Sequence, residues 1–304
     1  MRTSRAAALR LATAALVSVP THPAIAWCGK PYPPYAYQLP WFEFQAGSTP
    51  VRIIGDNRPE STRRLSPILV LPSPGLSYEY MENLEAFTVS ERRVCFCSLS
   101  APATVAQLAA QARAALDALE APGRAHVVAH GAGAVAALAL ASAAPSRVAS
   151  LVLVSPFATA DDLEPAARDD AGSSRPLLAS ASTSGRACVD AVLQTAGAAA
   201  SVGAVLAGAA PPGVAALAEP AARAVPALVV RGSRGDVSSA ATASALLAAL
   251  PRATAATFDA SGPLPFVDED ERFREAALTL FDAADGVATR RAVMGGKGGV
   301  EVMS

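Results

Sequence analysis

Few side chains in this sequence are of the types that carry out acyl transfer. That chemistry needs a nucleophile, a base that deprotonates it and a carboxylate that orients the base. Among the three histidines, His126 and His130 stand close together in a β-rich run. Hydroxyl groups that could attack a carbonyl are present at Ser73 and Ser155, and a carboxylate follows a later apolar run at Asp236. No base is evident for either serine, so these residues alone do not predict a working nucleophile.

The two histidines belong to residues 125–156, which are predicted to form a strand, a tight turn, a helix and a second strand. His126–Val128 is β-rich, and the turn Ala129–Gly133 is built from small residues. An alanine-rich helix follows and must end at Pro145, because proline cannot continue a helix. Val148–Val154 is almost entirely apolar, which is typical of a parallel strand buried on both faces. This segment is therefore expected to lie at the centre of the fold.

A turn of small residues between a buried strand and a buried helix resembles the nucleophile elbow of the α/β-hydrolase superfamily. The superfamily pattern is G-x-S-x-G, often with a histidine before the serine. On this pattern His130 matches that histidine and Gly133 the last glycine, but the serine position is Gly131. Glycine has no side chain and cannot attack a substrate. The resemblance also implies structural roles for both histidines, with His126 inside the sheet and His130 directed away from the pocket.

A second loop, Leu71–Tyr80 with the sequence LPSPGLSYEY, resembles the H-G-G-P-G loop of proline-iminopeptidase-like hydrolases. Pro74 and Gly75 match that loop, whereas its histidine and its first two glycines are replaced. Family members hold the reaction's oxyanion with one backbone N–H from this loop and another from the residue after the nucleophile. By resemblance the two oxyanion donors are Ser73 and Ala132, and neither is a proline.

The acid and the base of the triad would come from two later loops. In residues 232–236, GSRGD, the family's G-x-x-D spacing places the acid at Gly235, and Asp236 stands one residue later. Residues 261–266, SGPLPF, resemble the family's G-H-L-P-F segment, in which the histidine has become Pro263. Proline has neither a free N–H nor a basic side chain. The triad is thus degenerate at the nucleophile and at the base, and displaced or absent at the acid.

The order of the predicted elements indicates an α/β fold. We expect a mostly parallel sheet of about eight strands with helices on both faces, since strands alternate with helical patterns. By resemblance, residues 46–157 and 226–285 form the α/β-hydrolase core. Residues 158–225 break the alternation and are expected to form a helical cap over the mouth of the site.

The two ends of the chain differ in composition from this core. Residues 1–26 carry arginines, no acidic residue, a short apolar run and Ala24-Ile25-Ala26, which is typical of a cleavable targeting segment. Because Trp27 follows, the segment resembles a plastid signal, and a secretory signal is the alternative. Residues 27–45 are predicted to be a proline- and tyrosine-rich linker followed by the first strand. The glycine-rich residues 286–304 are predicted to be a disordered tail.

Composition restricts the functional classes. A net charge of −1 gives no electrostatic case for nucleic-acid binding. The four cysteines form no C-x-x-C pair and the histidines lack metal-ligand spacing, so neither a metal site nor a cofactor is predicted. The uncharged residues 194–218 are interrupted by Pro211-Pro212 and rich in alanine and glycine, so no transmembrane span is predicted there.

Two functional hypotheses follow from this pattern. The first is a non-catalytic pseudo-hydrolase that keeps the fold and serves in ligand binding or protein interaction, with a small molecule under the cap and an unknown protein partner. The second is an active esterase or iminopeptidase-like hydrolase with an unconventional nucleophile, for which Ser155 and Ser73 are the serines to test. A sequence under weak constraint that retains no activity is a third alternative.

Overall fold

The fold is organised around one mixed β-sheet. The computed structural model describes residues 41–54, 65–101, 103–119, 123–169 and 213–287. The strands within these ranges are β1 (Trp41–Ala46), β2 (Thr49–Ile54), β3 (Ile68–Leu71), β4 (Val94–Cys97), β5 (Ala125–His130), β6 (Val148–Val154), β7 (Ala227–Gly232) and β8 (Ala253–Phe258).

The strand order confirms the predicted α/β class. The described residues form an eight-stranded sheet in the order β1-β2-β4-β3-β5-β6-β7-β8. The β1–β2 and β2–β4 pairs are antiparallel, and the other pairs are parallel. Val127, Leu153 and Val229 lie on the neighbouring central strands β5, β6 and β7. The carboxyl ends of β3, β5, β6 and β7 therefore meet at one edge of the sheet, where the candidate site lies.

Helices pack on both faces of this sheet. Thr104 caps the first of them with a capping box, in which its side chain accepts the Gln107 N–H and the Gln107 side chain accepts the Thr104 N–H. The α-helices are α1 (Val105–Ala118), α2 (Gly133–Ala143), α3 (Pro165–Asp169), α4 (Ala240–Ala249), α5 (Pro265–Asp268) and α6 (Asp270–Asp285), and 3₁₀ segments include Tyr78–Ser90, Ala160–Asp162, Val214–Leu217 and Ala222–Ala224.

Side-chain alternation along the strands divides the core into two layers. On β5, Val127 faces the layer that holds α1 and α2, whereas Val128 faces the layer that holds α6. Every residue of β5 and β6 is buried, because helices cover both faces of a parallel sheet. In the second layer Phe273, Ala277 and Phe281 form the buried face of α6, as their spacing predicted.

A buried charge cluster fixes the last helix at the opposite, amino edge of the sheet. The Arg92 guanidinium contacts the Asp285 carboxylate at 2.5 Å and the Asp282 carboxylate at 2.8 Å. The His126 ring lies 3.2 Å from Asp285 through Nε2 and 2.8 Å from the Ser150 hydroxyl through Nδ1. Burial lowers the pKa of His126 and keeps the ring neutral. His126 thus has the structural position expected from the sequence, far along β5 from the turn at its carboxyl end.

Another buried carboxylate joins the two ends of residues 158–225. Asp162 accepts hydrogen bonds from the N–H groups of Ala158 at 2.8 Å, Thr159 at 3.0 Å and Val214 at 2.9 Å. The chain therefore leaves the core and returns to it at neighbouring points, as an insertion requires. Residues 170–212, where most of the predicted cap falls, lie outside the described residues.

Two features differ in detail from the sequence-based prediction. The first strand, expected at the end of residues 27–45, runs to Ala46 and pairs antiparallel with β2. The 3₁₀ segment Tyr78–Ser90 was not predicted, because it lacks the regular apolar spacing of an α-helix. The predicted targeting segment 1–26, residues 27–40 and residues 288–304 of the tail lie outside the described residues.

Candidate functional site

The turn after β5 has the backbone of a nucleophile elbow. β5 ends at His130 and α2 begins at Gly133, and Gly131 between them has φ +57°. A positive φ is a strained conformation for a residue with a side chain, and glycine adopts it without a steric penalty. A Cβ on Gly133 would lie 2.5 Å from the Leu71 carbonyl oxygen, so glycine is required for the close approach of the two loops. The turn is thus intact although it carries no nucleophile.

A chain of buried hydrogen bonds occupies the space around this turn. The Ser73 N–H donates to the Tyr80 hydroxyl at 3.0 Å, and that hydroxyl lies 3.0 Å from Nδ1 of His130. Nε2 of His130 lies 3.1 Å from the carbonyl oxygen of Pro263. The Ser73 hydroxyl closes the chain by donating to the His130 carbonyl oxygen at 3.1 Å. Three loops of the sheet's carboxyl edge are therefore joined through one imidazole.

The donor and acceptor of each hydrogen bond in this cluster follow from the groups at its two ends, the Ser73 N–H and the Pro263 carbonyl. The Pro263 carbonyl can only accept, so Nε2 of His130 carries the proton and donates it. Nδ1 of the neutral ring is then an acceptor, so the Tyr80 hydroxyl donates to Nδ1 and accepts from the Ser73 N–H. Each polar atom has a partner of the opposite kind. Protonation of Nδ1 would leave two donors facing each other at Tyr80.

Burial makes His130 unsuitable as a catalytic base. Its side chain is fully buried, and desolvation lowers its pKa to about 3 against the opposing effect of the Pro263 carbonyl. The Tyr80 and Phe266 rings pack edge-on against the imidazole at centroid distances of 5.4 and 5.7 Å. The ring reaches toward the Pro263 loop and lies at the centre of this buried cluster, where its hydrogen bonds join loops of the fold.

Ser155 lies beside the same proline, and Asp236 lies near Ser155. Ser155 follows β6 with φ +47°, a left-handed conformation that is costly for a residue with a side chain. Its hydroxyl donates its one proton to the Pro263 carbonyl oxygen at 3.2 Å, and the Asp236 carboxylate lies near the same hydroxyl. The Asp236 carboxylate accepts the N–H groups of Gly232 at 2.8 Å and Ser238 at 3.0 Å. Burial nevertheless raises the pKa of Asp236 above its ordinary value.

The two residues considered for the acid differ in their environment, since Asp236 is buried and Gly235 is not. Gly235 is exposed, has φ +71° and would have no atom within 4 Å of an added Cβ. Asp236 is buried and points to the group that contains Ser155 and Pro263. The one-residue displacement read from the sequence is therefore absorbed by a tight turn with Gly235 at its bend. Asp236 orients backbone N–H groups instead of a histidine.

The predicted oxyanion donors do not form an open pair. The Ser73 N–H is already donated to Tyr80, and Ser73 is fully buried. Ala132 is 1% exposed and has no hydrogen bond from its N–H within the described residues. One donor is thus occupied by a side chain of this protein. Sequence reasoning missed the role of Tyr80, although the S-x-x-Y pattern that contains it was visible.

Comparisons with known proteins agree with this geometry at the level of the fold. No family model and no curated protein matches the sequence. The chain resembles a solved proline iminopeptidase of Mycobacterium smegmatis with a TM-score of 0.61 and 17% identity, covering 81% of this chain and 99% of that one. It resembles an enol-lactonase of Burkholderia xenovorans LB400 with a TM-score of 0.58 and 17% identity, covering 79% of this chain and 99% of that one. It resembles a carboxylesterase of Bacillus subtilis with a TM-score of 0.56 and 15% identity, covering 80% of this chain and 91% of that one.

The chain accordingly has the α/β-hydrolase fold. Each of these similar structures is an α/β-hydrolase fold protein, and each is known by an enzymatic activity. Identities this low establish the fold and leave the activity to the residues of the site. In the described part of the chain, no three metal-ligating side chains group together, and no helix has the length and apolarity that a bilayer crossing needs.

The backbone of the elbow leads to a first prediction. We expect Gly131→Ala to lower the free energy of unfolding by about 1–2 kcal/mol, because alanine must take up a left-handed conformation. Gly123→Ala is the matched control, since Gly123 has an ordinary φ and nothing within 4 Å of an added Cβ. Urea unfolding of both variants measures the difference. Equal stability of the two variants would contradict the assignment of the strained conformation to Gly131.

Proposed function

We propose that this protein is a non-catalytic member of the α/β-hydrolase fold class that acts by binding. The observation that carries the proposal is the place of Pro263: its carbonyl oxygen accepts from Ser155 and lies against His130, where a hydrolase needs a basic side chain. A carbonyl oxygen cannot deprotonate a nucleophile. Together with glycine at the elbow, this leaves the described residues with no nucleophile at the elbow and no basic side chain at the position of Pro263.

The polar residues of the site support a structural role for the carboxyl edge of the sheet, where a hydrolase of this fold has its catalytic residues. Ser73, His130 and Ser155 are fully buried and bonded to groups within the protein. Such a cluster joins the loops that contribute these residues. Burying its polar atoms costs little free energy, because each of them has a hydrogen-bond partner. We therefore propose that the protein acts by recognition and not by catalysis, with a small molecule as the proposed ligand. The targeting segment 1–26, toward a plastid or the secretory pathway, is likewise proposed.

The position of Ser155 is the observation that supports the alternative function, an active hydrolase. A serine with positive φ at the carboxyl edge of a sheet, next to a buried carboxylate, has the strain found at many functional positions. An active esterase or iminopeptidase-like hydrolase would then use Ser155 as its nucleophile. Its hydroxyl, however, contacts a carbonyl and a carboxylate and no imidazole, so the arrangement lacks the base that serine needs.

Hydrolysis assays separate the two functions. We expect the purified protein to hydrolyse p-nitrophenyl esters and amino-acid anilides no faster than heat-unfolded protein does. An active proline iminopeptidase or carboxylesterase, assayed alongside, shows that the conditions permit turnover. Turnover that is saturable and lost in Ser155→Ala would overturn the non-catalytic proposal and establish the alternative.

A further inference from the structure

Strand β8 is an open edge of the sheet. It follows β7 in the strand order and no described strand lies beyond it. The Arg252 carbonyl accepts from the Ala227 N–H of β7. The Phe258 carbonyl accepts from the N–H of Ser233, which follows β7. Because main-chain groups alternate in direction along a strand, Ala253, Ala255 and Thr257 direct theirs outward. Unpaired outward groups on an edge strand are a template for pairing with another chain.

Two of these outward groups are already bonded within the protein. The Ala253 N–H donates to the Leu250 carbonyl at 2.8 Å. The Thr257 carbonyl accepts from the Arg272 guanidinium at 3.0 Å. The groups that remain without a partner in the described residues are the N–H and C=O of Ala255, the C=O of Ala253 and the N–H of Thr257.

These remaining groups are self-complementary. When two copies of β8 lie antiparallel with their two-fold axis at Ala255, the two Ala255 residues exchange both N–H···O bonds. The Thr257 N–H of each copy then meets the Ala253 carbonyl of the other. One bond of the regular ladder is missing, namely that from the Ala253 N–H of one copy to the Thr257 carbonyl of the other. Both of these groups already have partners within their own chain. No main-chain group in this register is left without a partner.

The side chains of β8 itself permit the same approach, and the Arg272 guanidinium lies on this edge only at its carboxyl end, beside Thr257 and Phe258. The strand sequence ATAATF contains no charge and no proline, which are the usual protections of an edge. Its residues from Ala253 to Ala256 are half-buried and small, so a second strand can come close. Exposed Arg252 precedes the strand and exposed Asp259 follows it, so the antiparallel arrangement sets the cation of one copy near the anion of the other.

We propose that two copies of this protein form a two-fold dimer through their β8 edges, which joins the two sheets into one. Such an isologous interface closes on itself and does not extend into a fibre. The inference is independent of the non-catalytic function, because β8 contributes no residue to the cluster around His130. It assigns an interaction surface and its partner, a second copy of this chain.

Sedimentation of the full chain over a range of concentrations tests the proposal. We expect a dimer that dissociates on dilution, and a dissociation constant about 10- to 30-fold higher in Ala255→Pro, which removes the two central hydrogen bonds. The inward ladder to β7 is preserved, since the Ala255 N–H points to solvent and proline is tolerated there. Ala255→Lys should weaken the dimer as well, because it sets two like charges directly opposite each other.

A crosslinking experiment locates the interface. With a short bis-maleimide, Ala255→Cys should give a covalent dimer above the level of the unmodified protein, and Ala245→Cys on the exposed face of α4 should not. Ala245→Lys is the matched control for Ala255→Lys and should leave the mass unchanged. A monomer at every concentration, or a dimer that persists equally in Ala255→Pro and Ala255→Lys, overturns the proposal. If the proline variant fails to fold by circular dichroism, the lysine variant and the crosslink decide.

Discussion

His130→Leu should lower the free energy of unfolding by about 2–4 kcal/mol at pH 7. Leucine fills much of the volume of the ring but offers no partner to the Tyr80 hydroxyl, which would become a buried donor without an acceptor. It also removes the donor to the Pro263 carbonyl and the edge-on contacts with two aromatic rings. A histidine that served catalysis alone would have no such value for stability.

The destabilisation caused by His130→Leu should become smaller as the pH falls. The pKa of His130 is about 3 in the folded protein against an ordinary value of 6.5 for histidine, so the unfolded chain binds the proton more readily. The stability linked to this ring is therefore complete above pH 6.5 and is lost as the pH falls toward 3. Below pH 6.5 the difference between the parent protein and His130→Leu should narrow by about 1.4 kcal/mol per pH unit. His126 titrates in both proteins and cancels from the difference.

Chemical unfolding at several pH values between 5 and 7.5 measures this effect. Ser73→Ala is the matched control, because it removes a hydrogen bond of the same cluster but keeps His130. Its destabilisation should not depend on pH in this range. A constant difference between the parent and His130→Leu would show that the ring titrates normally, and would contradict a buried, neutral imidazole.

Restoring the two missing side chains should not by itself restore catalysis. We expect Gly131→Ser/Pro263→His to react with a fluorophosphonate probe slowly, because one oxyanion donor, the Ser73 N–H, is held by the Tyr80 hydroxyl. Adding Tyr80→Phe releases that donor. One oxyanion-hole donor contributes about 10²–10³ in rate in a serine protease, so we expect the triple variant to react faster than the double variant by up to about that factor.

Tyr78→Phe is the control for this comparison. Its hydroxyl donates to exposed Glu43 at 2.7 Å and takes no part in the cluster, so its removal should leave the reaction of the double variant unchanged. The measurement is the rate of probe incorporation, with folding of each variant checked by its melting temperature. Equal rates in the double and triple variants would show that the Tyr80 contact is not what closes the oxyanion position.

Much of this fold is encoded in patterns that can be read locally. Buried strands such as Val148–Val154 are continuous apolar runs, and the turn at Gly131 is flanked by a β-rich and an alanine-rich segment. A glycine at the elbow also has a physical reason to persist, because it relieves the strain that a serine must bear there. Loss of the nucleophile therefore leaves the turn intact.

The hydrogen-bond cluster could not be read in the same way. Ser73, Tyr80, His130 and Pro263 come from separate loops that only the closed sheet brings together, and their distances depend on tertiary packing. The decisive acceptor is a main-chain carbonyl, which any residue carries and no motif records. The sequence showed which side chains of the family pattern are replaced in this chain, and the structure shows the contacts that the remaining groups make.

Intact-mass analysis after incubation with a fluorophosphonate probe tests the central claim most directly. An active α/β hydrolase in the same experiment should gain the mass of one phosphonyl group per molecule. We predict that this protein keeps its unmodified mass throughout, since glycine occupies the nucleophile position and a proline carbonyl the position of the base. Stoichiometric modification of the folded protein, at Ser155, Ser73 or any other serine, would contradict the claim that this protein is non-catalytic.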